Sequence, residues 1–378
     1  MNYLPYGRQT ILEDDIAAVV DVLRSDWLTT GPAVAKFESS LAEYTGARHA
    51  VALSSGTAAL HAIMHALGIS PGDEVIVPPM TFAATANAVI YCGGTPVFAD
   101  VKAESLLIDP ACVLDKITPR TKAIVAVDYA GQPCDYDELR DIARRHNLWL
   151  VSDACHALGA QYKQRKVGVL ADLSAFSFHA VKNITTAEGG MVTTNDPDMA
   201  TRIRTFRNHG ITTDHRQRAL SGSFTYDMVE LGFNYRISDL QCALGVTQLL
   251  KLPSWLKKRA ALAHLYDERL KSNNEIRPLD ALRDRTHAYH LYVVQLNASD
   301  RDEVFDSLRK SGIGCNVHYR PVYLHPFYRD KLGYTQGLCP VAEAAYKRML
   351  SLPIFPQMDT ADVIRVVSAL EEALTKYE

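Results

Sequence analysis

Lys182 stands just past an apolar run, Phe176-Ser177-Phe178, and just before a stretch of small residues, Asn183-Ile184-Thr185-Thr186-Ala187-Glu188-Gly189-Gly190. An amine held at the end of a buried strand loses hydration. Its pKa falls, and it becomes a nucleophile or a base. Alone, it is equally a surface lysine after a strand. Asp153 ends another apolar run, Leu148-Trp149-Leu150-Val151. A carboxylate there is costly unless it meets donors or a cation. It either caps the next segment of backbone or faces a protonated ring nitrogen. Ser54-Ser55-Gly56-Thr57-Ala58 lies between a strand and a helix. Its small residues and the helix N-terminus suit a phosphate, although an N-cap by Ser55 or Thr57 reads the same way. Ser177, five residues before the lysine, can serve a phosphate too. Gly232-Phe233-Asn234-Tyr235-Arg236 enters a helix starting at Ser238. Its Asn and Arg suit a phosphate or an ordinary loop.

Taken together, these groups have a common chemistry. A phosphate loop, a stacking aromatic, an acid for a ring nitrogen and an amine occur in an order that fits pyridoxal 5'-phosphate. Held protonated, the ring of that cofactor is an electron sink. Dinucleotide, P-loop, hydrolase and zincin chemistry lack their residues here. No G-x-G-x-x-G follows the first strand, and there is no G-x-x-x-x-G-K-[ST], G-x-S-x-G or H-E-x-x-H.

These side chains need a scaffold, and the chain alternates strands with helices. Strands are expected at 49–53, 74–77, 96–99, 123–127, 148–151, 174–178 and 190–194. Helices are expected at 11–24, 33–44, 57–67, 83–91, 110–117, 136–146 and 198–208. The strands are short and continuously apolar, as in a sheet covered on both faces. Such alternation predicts an α/β fold with a mostly parallel sheet between helices. Two helices, 238–251 and 254–270, are expected on either side of Pro253. A smaller C-terminal α/β unit comes next, with strands at 289–296 and 315–318 and helices at 302–310 and 361–374. The expected domains are 1–250 and 251–378. Residues 210–233 read as a long polar loop that closes on substrate.

The chain has 378 residues, with Lys+Arg 40 against Asp+Glu 43 and a formal charge of −3. That leaves no basic excess for a nucleic acid. The uncharged stretch 75–99 holds Pro78, Pro79, Gly93, Gly94 and Pro96, which suits no membrane helix. Seven scattered cysteines without a CxxC pair argue against disulfides and structural metal. No secretory signal opens the chain, and a cytoplasmic setting is expected.

The stretches DWLTTGP, ALSSGTAALH, DEVIVPPMTFAATANAV, VDYAGQPCD, SDACHALGA, FSFHAVKNITTAEGG, FRNHG, GFNYRISDLQCALG and SLPIFP run through nearly the whole chain. They resemble the nucleotide-sugar aminotransferase family of fold-type I pyridoxal phosphate enzymes. The resemblance implies that Lys182 forms the Schiff base and acts as general base. Asp153 pairs with the ring nitrogen, His156 lies beside the ring and Phe82 stacks on it. Gly56, Thr57 and Ser177 hold the phosphate. Asn234, with Arg236, reaches the phosphate in the neighbouring subunit, so a homodimer with shared sites is expected. Thr29 and Thr30 line the sugar site, His209 neighbours it, and His318, Tyr319 and Arg320 contact substrate. The substrates implied are a nucleotide sugar and L-glutamate.

Within the family, VDYAG, SDACHALGA and FSFHAVKNITTAEGG look most like the pseudaminic acid branch. That branch aminates C4 of UDP-2-acetamido-2,6-dideoxy-β-L-arabino-hex-4-ulose. The same core is similar to the enzyme making 4-amino-4-deoxy-L-arabinose for lipid A. Dehydratase relatives carry His where this chain has Lys182. A DNA-binding regulator of similar fold needs a module ahead of a sheet that here begins by residue 49.

Overall fold

The computed structural model describes residues 3–213, 218, 222–297 and 300–375. The expected closing loop at 210–233 includes 214–217 and 219–221, which lie outside the described residues. The first five strands are β1 (His49–Leu53), β2 (Glu74–Val77), β3 (Thr95–Phe98), β4 (Thr121–Val127) and β5 (Trp149–Asp153). Next come β6 (Gln161–Tyr162), β7 (Arg165–Lys166), β8 (Leu173–Ser177) and β9 (Gly190–Thr194). The last are β10 (Ile276–Pro278), β11 (Arg285–Thr286), β12 (Tyr292–Leu296) and β13 (Met349–Leu352).

Seven of them form one sheet in the order β1-β9-β8-β5-β4-β2-β3. The pairs from β8 through β5, β4 and β2 to β3 are parallel. Only β9 is reversed, antiparallel to both β1 and β8. So β1 points the same way as β8. The carboxyl ends of β1, β2, β4, β5 and β8 therefore share one edge, where open α/β sheets bind ligands. Leu53 and Ser177 both stand opposite Gly190 in the register. Asp153 stands opposite Val127 on one side and Ala175 on the other.

Helices cover both faces because the strands bury nearly every side chain. The helix Gly56–Ala66 is the most enclosed of them, and Ser55 caps it by accepting from the Ala58 N–H at 3.0 Å. One apolar core surrounds this sheet. A second gathers Leu4 with residues between Leu262 and Leu374 around β10, β12 and β13.

Two expectations fail. Pro253 does not separate two helices: Asp239–Leu270 is one helix of 32 residues with Pro253 inside it. An interior proline costs about 3 kcal/mol. Here burial on both sides of it outweighs that cost, with Leu249 and Leu252 before it and Arg259 and Leu262 after. The expected boundary at residue 250 falls within this helix. Residues 315–318 form no strand; Asn316 makes an isolated bridge to Ser351. The small sheet β11-β6-β7 was not anticipated, because two-residue strands carry no periodicity. Nor was β13. Its Met349-Leu350-Ser351-Leu352 is buried on both faces and so does not alternate.

Candidate active site

The last residue of β5 puts the Asp153 carboxylate at the common strand edge, where it is buried. Two donors hold it. The Thr85 hydroxyl donates to Oδ2 at 2.7 Å, and the Cys155 N–H donates to Oδ1 at 3.2 Å. Thr85 is in turn 2.7 Å from Thr81 Oγ1, and both threonines are buried. Sequence reasoning missed these two, although Thr81-Phe82-Ala83-Ala84-Thr85 lies within the DEVIVPPMTFAATANAV stretch. A threonine four residues after another shares its helical face, and that spacing was the available signal.

Lys182 stands in the turn after β8, where its N–H donates to the His179 carbonyl at 2.9 Å. Burial pushes its ammonium below the ordinary lysine value, while the charges of Cys155 and Asp153 push back. The result is an amine nearer its neutral form than a surface lysine, beside a carboxylate.

The hairpin from β8 to β9 brings Ser177 against the Gly56 helix start. A Cβ on Gly56 would stand 2.8 Å from Ser177 Cβ and 3.2 Å from its Oγ. Glycine is thus required for the approach. The result is a hydroxyl beside the amides of Gly56 and Thr57 at the positive end of a helix, a donor set suited to a phosphate dianion. With Asp153 for the ring nitrogen and Lys182 for the aldehyde carbon, this set fits pyridoxal phosphate. Phe82 comes after β2 and is 62% exposed, its ring 6.2 Å from that of Tyr319.

The opposite wall comes from far along the chain. His156 is buried, and its Nε2 lies 3.1 Å from the Tyr319 hydroxyl. Burial holds its imidazole well below the ordinary histidine value, and Lys182 and His318 add to this. His318 is buried as well. Its Nε2 is 3.3 Å from the Asn316 amide nitrogen, and its Nδ1 is 2.9 Å from Ser351 Oγ. An amide nitrogen only donates, so Nε2 accepts and Nδ1 carries the proton. Burial, then Lys182, push this ring down to about 3. The Tyr129 hydroxyl donates to the His318 carbonyl. Arg320 is half-buried and donates to the Leu324 carbonyl at 2.7 Å. His290 was missed. It is buried with its ring 4.4 Å from that of His156.

The remaining candidates gather elsewhere. Thr30 and Arg236 line a cleft of 390 Å³ with Arg204, Arg207 and Asn208. Arg236 donates to Asn208 Oδ1 at 3.0 Å, and burial, then Arg207, lower its pKa. Thr29 bridges Ser238 and is exposed. Asn234 bridges Asn208 and is exposed. His209 is exposed, its N–H donating to the Phe233 carbonyl at 3.0 Å. The structure thus brings Asp153, His156 and His318 near Lys182, sets Ser177 against Gly56 and Tyr319 against His156 and Phe82, and places Thr30 and Arg236 in a second cleft.

The chain is similar over nearly its whole length to known sequences and solved structures. The spore coat polysaccharide biosynthesis protein SpsC of Bacillus subtilis is 41% identical over 377 residues, spanning 98% of this chain and 97% of its own length. The structure of Helicobacter pylori PseC, an aminotransferase involved in pseudaminic acid biosynthesis, is 34% identical, with a TM-score of 0.93 over 100% of both chains. A sugar aminotransferase structure from Streptococcus pneumoniae, in its pyridoxamine phosphate form, is also 34% identical, with a TM-score of 0.94 over 99% of each chain. The fold is that of the pyridoxal phosphate-dependent aminotransferases, and the cofactor of this family is pyridoxal phosphate. The DegT/DnrJ/EryC1/StrS aminotransferase model matches residues 9–371, so the chain belongs to this family of sugar aminotransferases.

Proposed function

We propose that the protein moves the amino group of L-glutamate to C4 of UDP-2-acetamido-2,6-dideoxy-β-L-arabino-hex-4-ulose. The product is UDP-4-amino-4,6-dideoxy-N-acetyl-β-L-altrosamine, a precursor of pseudaminic acid. The observation that carries the amino-transfer reading is Lys182, its pKa lowered by burial, beside the doubly held Asp153 carboxylate. The end-to-end likeness to the Helicobacter pylori enzyme supports the sugar. The relation to the spore coat protein favours a second reading, another nucleotide keto sugar. The keto-arabinose of lipid A modification stands beside it.

When bound, pyridoxal phosphate supplies an electron sink for the pair left behind as the donor's α-proton departs. Every other task falls to the chain. Lys182 takes that proton at Nζ and later returns one to the sugar carbon. Asp153 faces the ring nitrogen, and Thr85 and the Cys155 amide hold its two oxygens in place. Gly56, Thr57 and Ser177 anchor the phosphate. Phe82 covers the ring face, and His156 borders it. Tyr319, His318 and Arg320 stand on the substrate side, and Thr30 lines the second cleft, with Thr29 and His209 next in the chain to its lining residues Thr30 and Asn208. The cofactor unit is built on the seven-stranded sheet, and the smaller unit on β10, β12 and β13.

We propose further that the working unit is a homodimer, in which Asn234 and Arg236 reach the partner's phosphate site. Exposed Leu28, Leu231 and Phe233 around those residues support an apolar contact. Seven free cysteines support a reducing cytoplasm as its setting. Among the described residues, no helix is long and apolar enough to cross a membrane.

A visible absorbance titration tests the reading. Protein loaded with cofactor is bleached with L-glutamate, and each UDP-4-keto sugar is then added separately. Return of the visible band with the acetamido-dideoxy-hexulose alone supports the proposed substrate. Return with the keto-arabinose alone moves the protein to the lipid A reaction. Return with neither points to a different nucleotide sugar. No visible band at the outset overturns the role given to Lys182.

A further inference from the structure

Two hydroxyls in series stand behind the Asp153 carboxylate. Thr85 Oγ1 lies 2.7 Å from Asp153 Oδ2, and Thr81 Oγ1 lies 2.7 Å from Thr85 Oγ1. All three side chains are buried. The direction of the series follows from what each group can give. A carboxylate only accepts, and a hydroxyl has a single hydrogen. Thr85 commits its hydrogen to Asp153. Its contact with Thr81 therefore uses the hydrogen of Thr81, which donates. The order runs one way, from Thr81 to Thr85 to Asp153.

The local backbone makes this possible. The Thr85 N–H donates to the Phe82 carbonyl at 3.2 Å, at the start of the helix Ala84–Tyr91. Residues four apart on such a turn share a face. Phe82, between the two threonines in sequence, is exposed, whereas both threonines are buried. The loop that carries Thr81 is anchored in turn. The Val322 N–H donates to the Pro79 carbonyl at 3.0 Å, and the Tyr319 N–H to Met80 Sδ at 3.3 Å.

Hydrogen bonds in a series polarise one another, so a donating Thr81 makes Thr85 the stronger donor. It also occupies the acceptor side of the Thr85 hydroxyl. A threonine in a helix divides between two χ1 rotamers, and this contact selects the one aimed at Asp153. Donors on a carboxylate favour its charged form. Opposite a ring nitrogen, that leaves the proton between the two groups on the ring.

We propose that Thr81 is a positioning residue, which orients and polarises the Thr85 hydroxyl and through it keeps the proton between Asp153 and the cofactor on the ring nitrogen. The statement about the ring proton rests on the aminotransferase reading of the Lys182 site. The orientation of Thr85 does not.

Substitutions at position 81 separate hydrogen bonding from packing. Thr81→Val keeps the shape and loses the hydroxyl. Thr81→Ser keeps the hydroxyl and loses the methyl. Thr81→Ala takes the place of the valine variant where that one does not fold. The first readout uses cofactor-free protein labelled with ¹³C and ¹⁵N. Three-bond couplings from the Thr85 methyl carbon, assigned by its loss in Thr85→Val, give the χ1 populations. One rotamer is expected in the wild type and in Thr81→Ser, and an average of two in Thr81→Val. An unchanged single rotamer in Thr81→Val or Thr81→Ala overturns the positioning.

The second readout loads each protein with pyridoxal phosphate carrying ¹⁵N in its ring, whose shift tells a protonated nitrogen from a neutral one. The expected shift is that of a protonated ring in the wild type and Thr81→Ser. It moves toward the neutral value in Thr81→Val, and further in Thr85→Val. Single-turnover bleaching by L-glutamate slows about fivefold in Thr81→Val, the worth of one neutral hydrogen bond. Half-saturating L-glutamate changes little, and Thr81→Ser recovers the rate. Identical ring shifts in all four proteins, or equal slowing in the valine and serine variants, overturn the link to the ring proton. Wild-type protein that shows no visible cofactor band refutes the site reading alone, and the Thr85 couplings still decide the orientation.

Discussion

The two walls around Lys182 are made by different means. One is assembled at the carboxyl ends of β1, β5 and β8, where Ser55-Gly56-Thr57, Asp153 and Ser177 each lie at or within a few residues of their strand's end. The other is brought in by a strap, segment 286–291, and by segment 316–320, the first held by backbone bonds to Gly131 and Ala130 and by the Asn183 side-chain amide, the second by Ser351 and the Tyr129 hydroxyl. The first wall supplies charge and phosphate donors. The second supplies neutral imidazoles and hydroxyls. A site of this kind sets its charged groups on rigid strand ends and takes its neutral groups from segments that arrive from afar.

The first wall should fail hardest. Lys182→Ala is expected to lower kcat by at least about a thousandfold, since it removes a base used twice. Single-turnover bleaching by L-glutamate measures this, and a loss under tenfold would contradict the role. Asp153→Asn should cost about a hundredfold, as for other fixed charges in active sites. Thr85→Val should cost about tenfold by the same assay, the worth of one hydrogen bond to a charged group. Should Thr85→Val match the wild type, the Cys155 amide alone orients Asp153.

The second wall should respond in stability before rate. Gly131→Ala forces a side chain into φ +108° and against the Tyr289 nitrogen at 2.9 Å, and should cost about 1–3 kcal/mol in denaturant unfolding. Gly46→Ala is the control. It has φ +81° but nothing within 4 Å of its Cβ, so only the backbone term, about 1 kcal/mol, remains. Equal losses at the two positions would mean that the strap is not pressed against Gly131.

The smallest effect is in pH. His318 has its folded value at about 3 against 6.5 for the free side chain. Between those values the unfolded chain binds more protons, so stability rises with pH and is lost as pH falls below about 6.5. One such group contributes at most about 1.4 kcal/mol per pH unit. Replacing His318 by Asn should flatten the acid side of a Tm-versus-pH curve by one proton. An unchanged slope would show that its ring is already hydrated in the folded protein.

The same contrast explains what could be read from the residues. Asp153, Lys182, Ser177 and Gly56 are legible because a strand end and its loop are local, and the apolar runs mark the strand ends. The approach of His290 to His156 depends on Gly131 and on bonds spanning more than a hundred residues, and no local spacing encodes it. Pro253 misleads for a related reason. Local propensity ends the helix there, and packing on both sides continues it. The two-residue strands β6, β7 and β11 are too short to hold a pattern.

The helix Asp239–Leu270 has a mechanical consequence. At about 1.5 Å per residue it is a beam of about 48 Å, fixed in the first core by Cys242 and Leu249 and in the second by Leu262 and Tyr266. Its cap at Ser238 adjoins Arg236 and the second cleft, so one rod connects that cleft to the sheet that carries the strap. Only one place along it is built to yield. At Pro253 the carbonyl of Leu249 has no N–H to accept from, and bending there costs no hydrogen bond. Any swing of the second core toward the cofactor wall would load this turn first, which makes a proline that sequence alone takes for a break the natural joint of the beam.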